Sequence, residues 1–452
     1  MEALLLLFLS GMISMAASMF GKTQLALAAA LMGMVGAIFL MMAPAPLFQF
    51  ASQYQGISFE GFQIHFSILC IALTALIIWG DSLRLLQDKE NGSDTIALYL
   101  FSLCGVLILI GFKDLFMFFL GLEIMSIPLY VLAGSDKNSS FSREAAVKYF
   151  FTGSFITCFI LLGIALIYGA TGTFELAEMK QVILEARVNL PMLQVGTIML
   201  AIGFLFKVGA APFHFWGPDV YQGSPNYITA YMASTIKIAM LFTFYTFFSL
   251  LFEPISKTWI PLLQAAILIS LFLGYLVALH QTYFKRLLAY SSITHSAFAL
   301  FSLLCFKESS LQHLFIFTIG YGFSIVGLVS SQVAMRNTED QIDQIKGKGL
   351  QYPLLGLLWV SALFSLTGLP PFTGFFGKTF LFYEAFSHFP ALVIAGLIST
   401  AIGSYFYLQL IMHAFQQESD QATKTPIPLA LQAILLLCIC SICGGWLFIF
   451  WI

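Results

Sequence analysis

The stretch GFLFKVGAAPFHFWGPDVYQG, residues 203–223, begins as an apolar run typical of a membrane helix, yet it contains Lys207 and, five residues later, Pro212. A proline inside a helix removes a backbone donor and clashes with the preceding turn, so we expect a break or kink here. Broken helices occur at membrane depth only where they are buried in protein or line a water-filled cavity. The freed carbonyls near Lys207 carry partial negative charge and can hold a cation or water. The stretch therefore suggests part of an ion site, and a kinked helix with a structural lysine is the alternative.

The composition of the 452-residue chain is that of an integral membrane protein, because 59% of its residues are hydrophobic, 9% are charged and the mean hydropathy is +0.91. A helix needs roughly 20 apolar residues to cross about 30 Å of hydrocarbon. The pattern predicts an all-α protein with fourteen spans, at about 2–20, 24–43, 60–80, 95–112, 114–134, 145–169, 194–216, 227–252, 259–281, 287–306, 311–335, 351–388, 390–416 and 426–451. The first of these lacks a basic region before it and is expected to be a retained helix.

A second interrupted segment, SLTGLPPFTGFFGKTFLFYEAF at residues 365–386, repeats the pattern of the first. A shift of 159 residues matches Gly368 to Gly209, and Pro371 to Pro212. Interrupted segments in corresponding positions of two halves are typical of transporters built from inverted repeats. We predict an N-terminal three-helix segment, two five-helix repeats that are inverted because five is odd, and a C-terminal helix, at 1–94, 95–252, 253–416 and 417–452.

The twenty Lys and Arg residues predict the orientation of the chain. Five of them fall in even-numbered loops and eleven in odd-numbered loops, namely Lys22, Arg84, Lys89, Lys137, Arg143, Lys285, Arg286, Arg336, Lys346, Lys348 and Lys424. The positive-inside rule then places the odd loops in the cytoplasm and both termini outside. The remaining four, Lys148, Lys207, Lys237 and Lys378, lie within spans.

A lysine at bilayer depth costs about 2.5 to 3.5 kcal/mol on insertion scales, so it normally faces a cavity or a partner. The alternative for each is a side chain that snorkels to the interface or joins a structural ion pair. Lys148 has Glu144 four residues before it, a helical spacing suited to pairing, which favours the structural role.

Glu123, in FFLGLEIMSIPLY, is the most deeply placed acid and needs a cation. Burial disfavours the charged forms of a carboxylate and a lysine, whereas pairing favours them, so a balanced pair can change protonation when another charge arrives. A static pair that fixes helix packing is the alternative. His295, among Ser291, Ser292, Thr294 and Ser296, and His214, just after the first break, are further candidate proton carriers, although a packing role is as compatible with the pattern. Asp219 and Glu384 have no supporting pattern.

Motifs for redox chemistry or ATP hydrolysis are absent from the sequence: it has no GxGxxG after a strand, no Walker A motif and no cysteine cluster for iron and sulfur. The seven cysteines lie in or against apolar spans and suggest packing residues. A near-neutral charge balance gives no indication of nucleic-acid binding. The energy that drives this protein is therefore expected from an ion gradient or a partner protein.

Five segments resemble the subunit N family of proton-translocating NADH:quinone oxidoreductase, respiratory complex I: FLGLEIMSIPLYVLAG, REAAVKYFFTGSF, FKVGAAPFHFWGPDVYQGSP, KRLLAYSSITHSAFAL and GLPPFTGFFGKTFLF. The resemblance runs from about residue 95 to 415, with the motifs in the family's order. It implies a fourteen-helix antiporter-like fold with two inverted five-helix repeats, each with one discontinuous helix. It also implies that Glu123 and Lys207 form a switchable pair, that Lys237 passes protons along a hydrated axis, and that Lys378 connects toward the outside.

The resemblance implies no cofactor on this chain, with NAD, FMN, iron-sulfur clusters and quinone on partner subunits. The implied partners are the sister antiporter-like subunit M, the small subunit K and the lipid bilayer of the cell inner membrane. A subunit of a multi-subunit cation/proton antiporter remains the alternative function, and a purely structural spacer in the membrane arm is a third.

Overall fold

The computed structural model describes residues 1–43, 56–88, 90–335, 340–416 and 426–450. Within these residues, thirteen helices are long and apolar enough to cross a membrane, or up to fourteen if the bent pair Ile342–Gln351 and Pro353–Thr367 forms one span. The prediction of an all-α membrane protein with about fourteen spans is confirmed. Of the loop cations used for the orientation, Lys89, Arg336 and Lys424 lie outside the described residues.

The helices, in chain order, are α1 (Glu2–Met19), α2 (Thr23–Met42), α3 (Phe62–Gln87), α4 (Gly92–Gly111), α5 (Leu115–Ala133), α6 (Ser140–Thr171), α7 (Leu176–Leu184), α8 (Leu190–Lys207), α9 (Trp216–Gly223), α10 (Asn226–Tyr231), α11 (Lys237–Leu251), α12 (Ser256–Ala278), α13 (Phe284–Leu300), α14 (Glu308–Ala334), α15 (Lys348–Gln351), α16 (Pro353–Thr367), α17 (Thr373–Phe386), α18 (Pro390–Ala414) and α19 (Leu429–Gly444). They divide into two compact units. The first comprises Met1–Lys207, Gly223–Pro225 and Thr235–Pro261, and the second comprises Val208–Gln222, Asn226–Ser234 and Leu262–Ile452.

In the first unit, α4 is the central helix, since most of its side chains are buried. Gly105 lets the backbones of α4 and α5 approach, because a Cβ there would lie 2.7 Å from Cα of Met125. The hydroxyl of Ser102 donates to the carbonyl of the same methionine at 2.9 Å. On another side, Thr243 of α11 donates to the carbonyl of Leu109 at 2.9 Å. These contacts fix α5, which carries Glu123, and α11, which carries Lys237.

In the second unit, α13 and α14 are almost completely buried. Helices α14 and α17 touch through glycines, because a Cβ on Gly320 would lie 2.8 Å from the backbone nitrogen of Gly374. A Cβ on Gly377 would likewise lie 2.5 Å from Cα of Phe317. Small residues allow this close approach of two membrane helices. The contact fixes α17, which carries Lys378.

Both predicted breaks are present, and each contains a glycine with left-handed backbone geometry. Helix α8 ends at Lys207, and Gly209 follows with φ +71. Helix α16 ends at Thr367, and Gly368 follows with φ +89. The peptide bonds before Pro212 and Pro371 are both cis. The two glycines are the residues that the 159-residue shift pairs, so the repeat in the sequence corresponds to a shared backbone conformation.

The helices of the structure differ in two details from the spans that hydropathy predicts. The seventh span was predicted to run to residue 216, but α8 ends at Lys207 and a separate short helix, α9, begins at Trp216. The left-handed glycine and the proline without an N–H group prevent the helix from continuing. Helix α7 was not predicted, because its nine residues are too few for a span and bury only one face, formed by Leu176, Met179 and Ile183.

Candidate functional site

The first cluster of polar groups surrounds the ammonium of Lys207, a residue that is only 8% exposed. Its Nζ donates a hydrogen bond of 2.9 Å to Oγ of Ser126 on α5. Ser126 lies three residues after Glu123, so both side chains share one face of the helix. Lys207 therefore reaches the face that carries Glu123, but it binds the serine hydroxyl there.

The carboxylate of Glu123 has its own partner on α6, since Oγ1 of Thr157 donates to it at 3.1 Å. Glu123 is near enough to Lys207 for the two charges to interact electrostatically. The structure thus brings near each other the two residues that the sequence singled out, while the ammonium binds Ser126 and the carboxylate binds Thr157. Ser126 and Thr157 were not identified from the sequence, although the spacing of Ser126 from Glu123 is a helical one.

Lys237 is buried, with 4% of its surface exposed, and it is the first residue of α11. The preceding segment, Met232–Ile236, is a π-helix. Such wide turns are rare and occur frequently at functional sites. Oγ1 of Thr235 in this turn lies 3.3 Å from Oγ1 of Thr74 on α3. The wide turn was not predicted, because no residue type signals a π-helix.

Lys148 forms the expected ion pair with Glu144, with 2.7 Å between Nζ and Oε1. In the isolated chain the two side chains are 42% and 57% exposed. This pair lies on the surface of α6, in contrast to the buried lysines at positions 207 and 237.

In the second unit, the ammonium of Lys378 lies at the carboxyl end of α16. It donates to the carbonyls of Leu366 and Thr367, at 2.5 and 3.0 Å, and it lies 4.3 Å from the centre of the Phe298 ring. A cation here is stabilised by the unpaired carbonyls and by the negative end of the helix dipole. The freed carbonyls of the second break thus hold a lysine side chain, whereas the expectation of carbonyls that hold a cation or water concerned the first break, near Lys207.

His295 is 2% exposed, and its Nε2 lies 3.0 Å from the hydroxyl of Tyr407. That hydroxyl is also 2.5 Å from Oγ of Ser291. At the residue that follows Ser291, the hydroxyl of Tyr321 donates to Oγ of Ser292 at 3.2 Å. The histidine therefore belongs to a network of hydroxyl groups, but these hydroxyls bind one another and backbone carbonyls directly.

The segment after the first break is held by two serines of the second unit. The N–H of Ala211 donates to Oγ of Ser270 at 2.8 Å, and Oγ of Ser296 donates to the carbonyl of Val208 at 2.7 Å. These bonds satisfy backbone groups that the break leaves without a helical partner. His214 lies in this segment and is half-buried.

Asp219 and Glu384, which the sequence pattern left without a role, both have charged or titratable neighbours. Arg286 lies 2.8 Å from Asp219, and His313 lies 3.1 Å from Glu384. His313 was not singled out from the sequence, because it lies 71 residues before Glu384 and only folding brings the two side chains together. Across the described ranges, no group of three or more His, Cys, Asp and Glu residues could hold a metal ion.

Comparisons with known proteins agree on one family. Residues 113–403 match the family described as NADH:quinone oxidoreductase/Mrp antiporter, TM. The chain is 36% identical to NADH-quinone oxidoreductase subunit N 1 of Solibacter usitatus, over 82% of this chain and 77% of that protein. It is 33% identical to NADH-quinone oxidoreductase subunit N of Cytophaga hutchinsonii, over 94% and 93% of the two chains.

Solved structures share the fold. A chain of respiratory complex I from Thermus thermophilus superposes with a TM-score of 0.82 and 26% identity, covering 99% of this chain and 97% of that chain. A chain of the Mrp complex from Dietzia sp. has a TM-score of 0.80 at 19% identity, covering 98% and 94%, and this likeness concerns the fold alone. The family match covers well over half of the sequence and includes both helix breaks and all four lysines within spans. This chain therefore belongs to the NADH:quinone oxidoreductase/Mrp antiporter transmembrane family.

Proposed function

We propose that this chain is a proton-translocating membrane subunit of NADH:quinone oxidoreductase, complex I, and that quinone reduction elsewhere in the complex drives it. Its relatives at 33% and 36% identity are subunit N proteins of that enzyme. The observation that carries the proposal is the position of Lys207, Lys237 and Lys378. Each is buried, and each lies where a membrane helix is interrupted: at the end of α8, after a π-helix and beside the end of α16.

Interrupted helices expose backbone groups and accommodate water, which is the environment that a proton carrier requires. In the proposed relay, charge arriving from a neighbouring subunit changes whether the ammonium of Lys207 binds Ser126 or Glu123. Lys207 then changes its affinity for a proton, Lys237 passes a proton onward, and Lys378 connects to the outside. Lys148, His295 and His214 are secondary positions. Each proton moved outward works against about 2.3 kcal/mol per 100 mV of membrane potential.

The same proposal includes the division of the chain into repeats, its orientation in the membrane and its partner subunits. The two five-helix repeats would span 95–252 and 253–416, between an N-terminal segment at 1–94 and a C-terminal helix at 417–452. The positive charges in the odd loops support a cytoplasmic location for those loops and an outer location for both termini. The partners would be subunits M and K in the inner membrane. NAD, FMN, iron-sulfur clusters and quinone would bind to other subunits.

The test is the Lys207→Ala complex, purified and reconstituted into vesicles, with NADH oxidation linked to quinone reduction and proton uptake recorded together. We expect assembly to persist while turnover and pumping fall together. The control is Lys180→Ala, which removes an exposed lysine from α7. Wild-type pumping in the assembled Lys207→Ala complex would remove Lys207 from the relay.

A cation/proton antiporter subunit is the second candidate, because the family description includes the Mrp antiporter. The two functions differ in their partners. Copurification with peripheral redox subunits supports the complex I assignment, whereas sodium-dependent proton exchange without redox partners supports the antiporter. The identity to subunit N proteins over most of the chain favours complex I.

A further inference from the structure

A buried carboxylate at the end of α17 faces two serine hydroxyls and one histidine ring on a neighbouring helix. Glu384 is only 4% exposed. It accepts hydrogen bonds from the hydroxyls of Ser309 and Ser310, the latter at 2.8 Å, and its Oε1 lies 3.1 Å from Nδ1 of His313. Ser309, Ser310 and His313 all lie in the first two turns of α14. This cluster takes no part in the relay described above.

The chemistry of the cluster is that of a histidine oriented by a carboxylate. Because an ionised carboxylate only accepts hydrogen bonds, we assign the ring proton of His313 to Nδ1, the atom that faces Glu384. In the neutral ring, the other nitrogen, Nε2, then carries no proton and can accept one. Two serine hydroxyls stabilise the ionised form of Glu384, and Glu384 in turn stabilises an imidazolium. The ring is held in place by stacking on Phe380, with 5.0 Å between ring centres.

The position of the cluster relates it to Lys378. Glu384 lies six residues further along α17, which is about 9 Å along the helix axis at 1.5 Å per residue. Cys305, in the segment just before α14, is in electrostatic contact with Glu384 and with Lys307. His313 is 17% exposed, so the cluster lies between a buried lysine and the surface. In the proposed orientation this surface faces the outside.

We propose that His313 and Glu384 form a proton-release site through which protons leave Lys378 for the outer aqueous phase; this inference rests on the proposed function. An N–H bond of the Lys378 ammonium breaks, and the proton passes through intervening water molecules to Nε2 of His313. The carboxylate of Glu384 stabilises the resulting imidazolium. The Nε2–H bond then breaks and the proton passes to water outside, which returns His313 to its neutral form. Lys378 is left neutral until the relay delivers the next proton.

The first test compares Glu384→Gln and Glu384→Asp in the assembled, reconstituted complex. Glutamine keeps the shape of the side chain without its charge, whereas aspartate keeps the charge on a shorter side chain. We expect proton pumping to fall several-fold in the glutamine variant and to be largely retained in the aspartate variant. The matched control is Glu253→Gln, which removes an exposed glutamate in an even-numbered loop. Wild-type pumping in Glu384→Gln, or equal loss in both variants, would overturn the proposal.

The second test uses His313→Ala, with His388→Ala as the control because His388 is exposed on the segment after α17. We expect pumping to fall several-fold in His313→Ala and to be restored by added imidazole, which supplies the missing proton carrier. A structural defect would not respond to imidazole, so an assembled variant without rescue contradicts the proposal. The Lys378→Ala variant distinguishes a failure of the proposed relay from a failure of the proposed release site. If it pumps normally, the relay itself is wrong; if it is impaired while the Glu384 and His313 variants pump normally, only the release site is wrong.

Discussion

The ammonium of Lys378 donates a 3.0 Å hydrogen bond to the carbonyl of Thr367, the last residue of α16. The side chain passes close to Gly368, since a Cβ on this glycine would lie 3.0 Å from Cδ of Lys378. The glycine therefore has two roles, because it adopts φ +89 and leaves space for the lysine.

We predict that Gly368→Ala lowers pumping several-fold, because the added methyl group displaces Lys378 from the carbonyls. The measurement is proton uptake per NADH oxidised in reconstituted vesicles. Gly172→Ala is the matched control, since Gly172 has φ +78 but nothing within 4 Å of its Cβ position. Both variants carry the backbone cost of about 1–2 kcal/mol for a left-handed alanine. Equal pumping in the two would show that the contact with Lys378 has no functional effect.

Ser126→Ala should impair the relay without preventing assembly. The substitution removes the hydroxyl that binds the ammonium of Lys207, and hydrogen bonds to charged groups contribute about 1.5–3 kcal/mol. We expect Lys207 to move toward Glu123 and the turnover of the coupled enzyme to fall. Ser142→Ala is the control, because Ser142 donates to the carbonyl of Ala133 and has no charged partner in that bond. If the coupled enzyme turns over equally fast in Ser126→Ala and Ser142→Ala, this role for Ser126 is contradicted.

Substitution of Lys237 by arginine distinguishes a proton carrier from a structural charge. Arginine keeps the positive charge but does not release its proton in proteins, whereas glutamine removes the charge. If Lys237 carries protons, both Lys237→Arg and Lys237→Gln lose pumping. If the buried charge alone is needed, the arginine variant retains pumping and the glutamine variant does not. The readout is proton uptake by vesicles that contain equal amounts of assembled complex.

Asp340, in the segment between α14 and α15, predicts a pH dependence of stability. Burial raises the pKa of this carboxyl from 3.8 to about 6, although the charge and backbone N–H of Lys285 partly oppose the change. The folded state therefore binds the proton more tightly than the unfolded state does. Protonation of Asp340 therefore stabilises the folded state. This stabilisation is complete below pH 3.8 and is lost as the pH rises through about 6, with no further change above it. Two pKa units correspond to roughly 3 kcal/mol.

Asp340→Asn should remove this dependence, because the amide oxygen still accepts a hydrogen bond from the N–H of Lys285 but does not titrate. We expect the thermal midpoint of the wild-type complex to fall between pH 4.5 and 6.5, values chosen to bracket the pKa of about 6, and that of the variant to fall less. Asp136→Asn, at an exposed position, should behave like the wild type. If the thermal midpoints of the wild type and Asp340→Asn change equally with pH, the prediction is contradicted.

The sequence was sufficient for the spans, the helix breaks and the position of the buried lysines, because each depends on local composition. Apolar runs identify the helices, and Pro212 and Pro371 identify the interruptions. The ion pair between Lys148 and Glu144 was also predictable, since residues four apart share a helix face.

The partners of the buried charges were not predictable, because some come from helices far apart in the chain and others are backbone carbonyls. Ser126 and Lys207 are 81 residues apart, and Lys378 binds carbonyls of a preceding helix. A carbonyl partner leaves no trace in the sequence, since every residue type carries one. The contact between Glu384 and His313 joins side chains 71 residues apart, so it too is visible only in the fold.

The contact between Gly320 on α14 and Gly374 on α17 limits which parts of this unit can move. With the backbones this close, a rotation or a slide of either helix would bring peptide groups into collision. The two helices therefore act as a fixed support for Lys378. In the proposed relay, proton movement past Lys378 would therefore depend on side-chain rotation and on water, rather than on a displacement of α17 against α14.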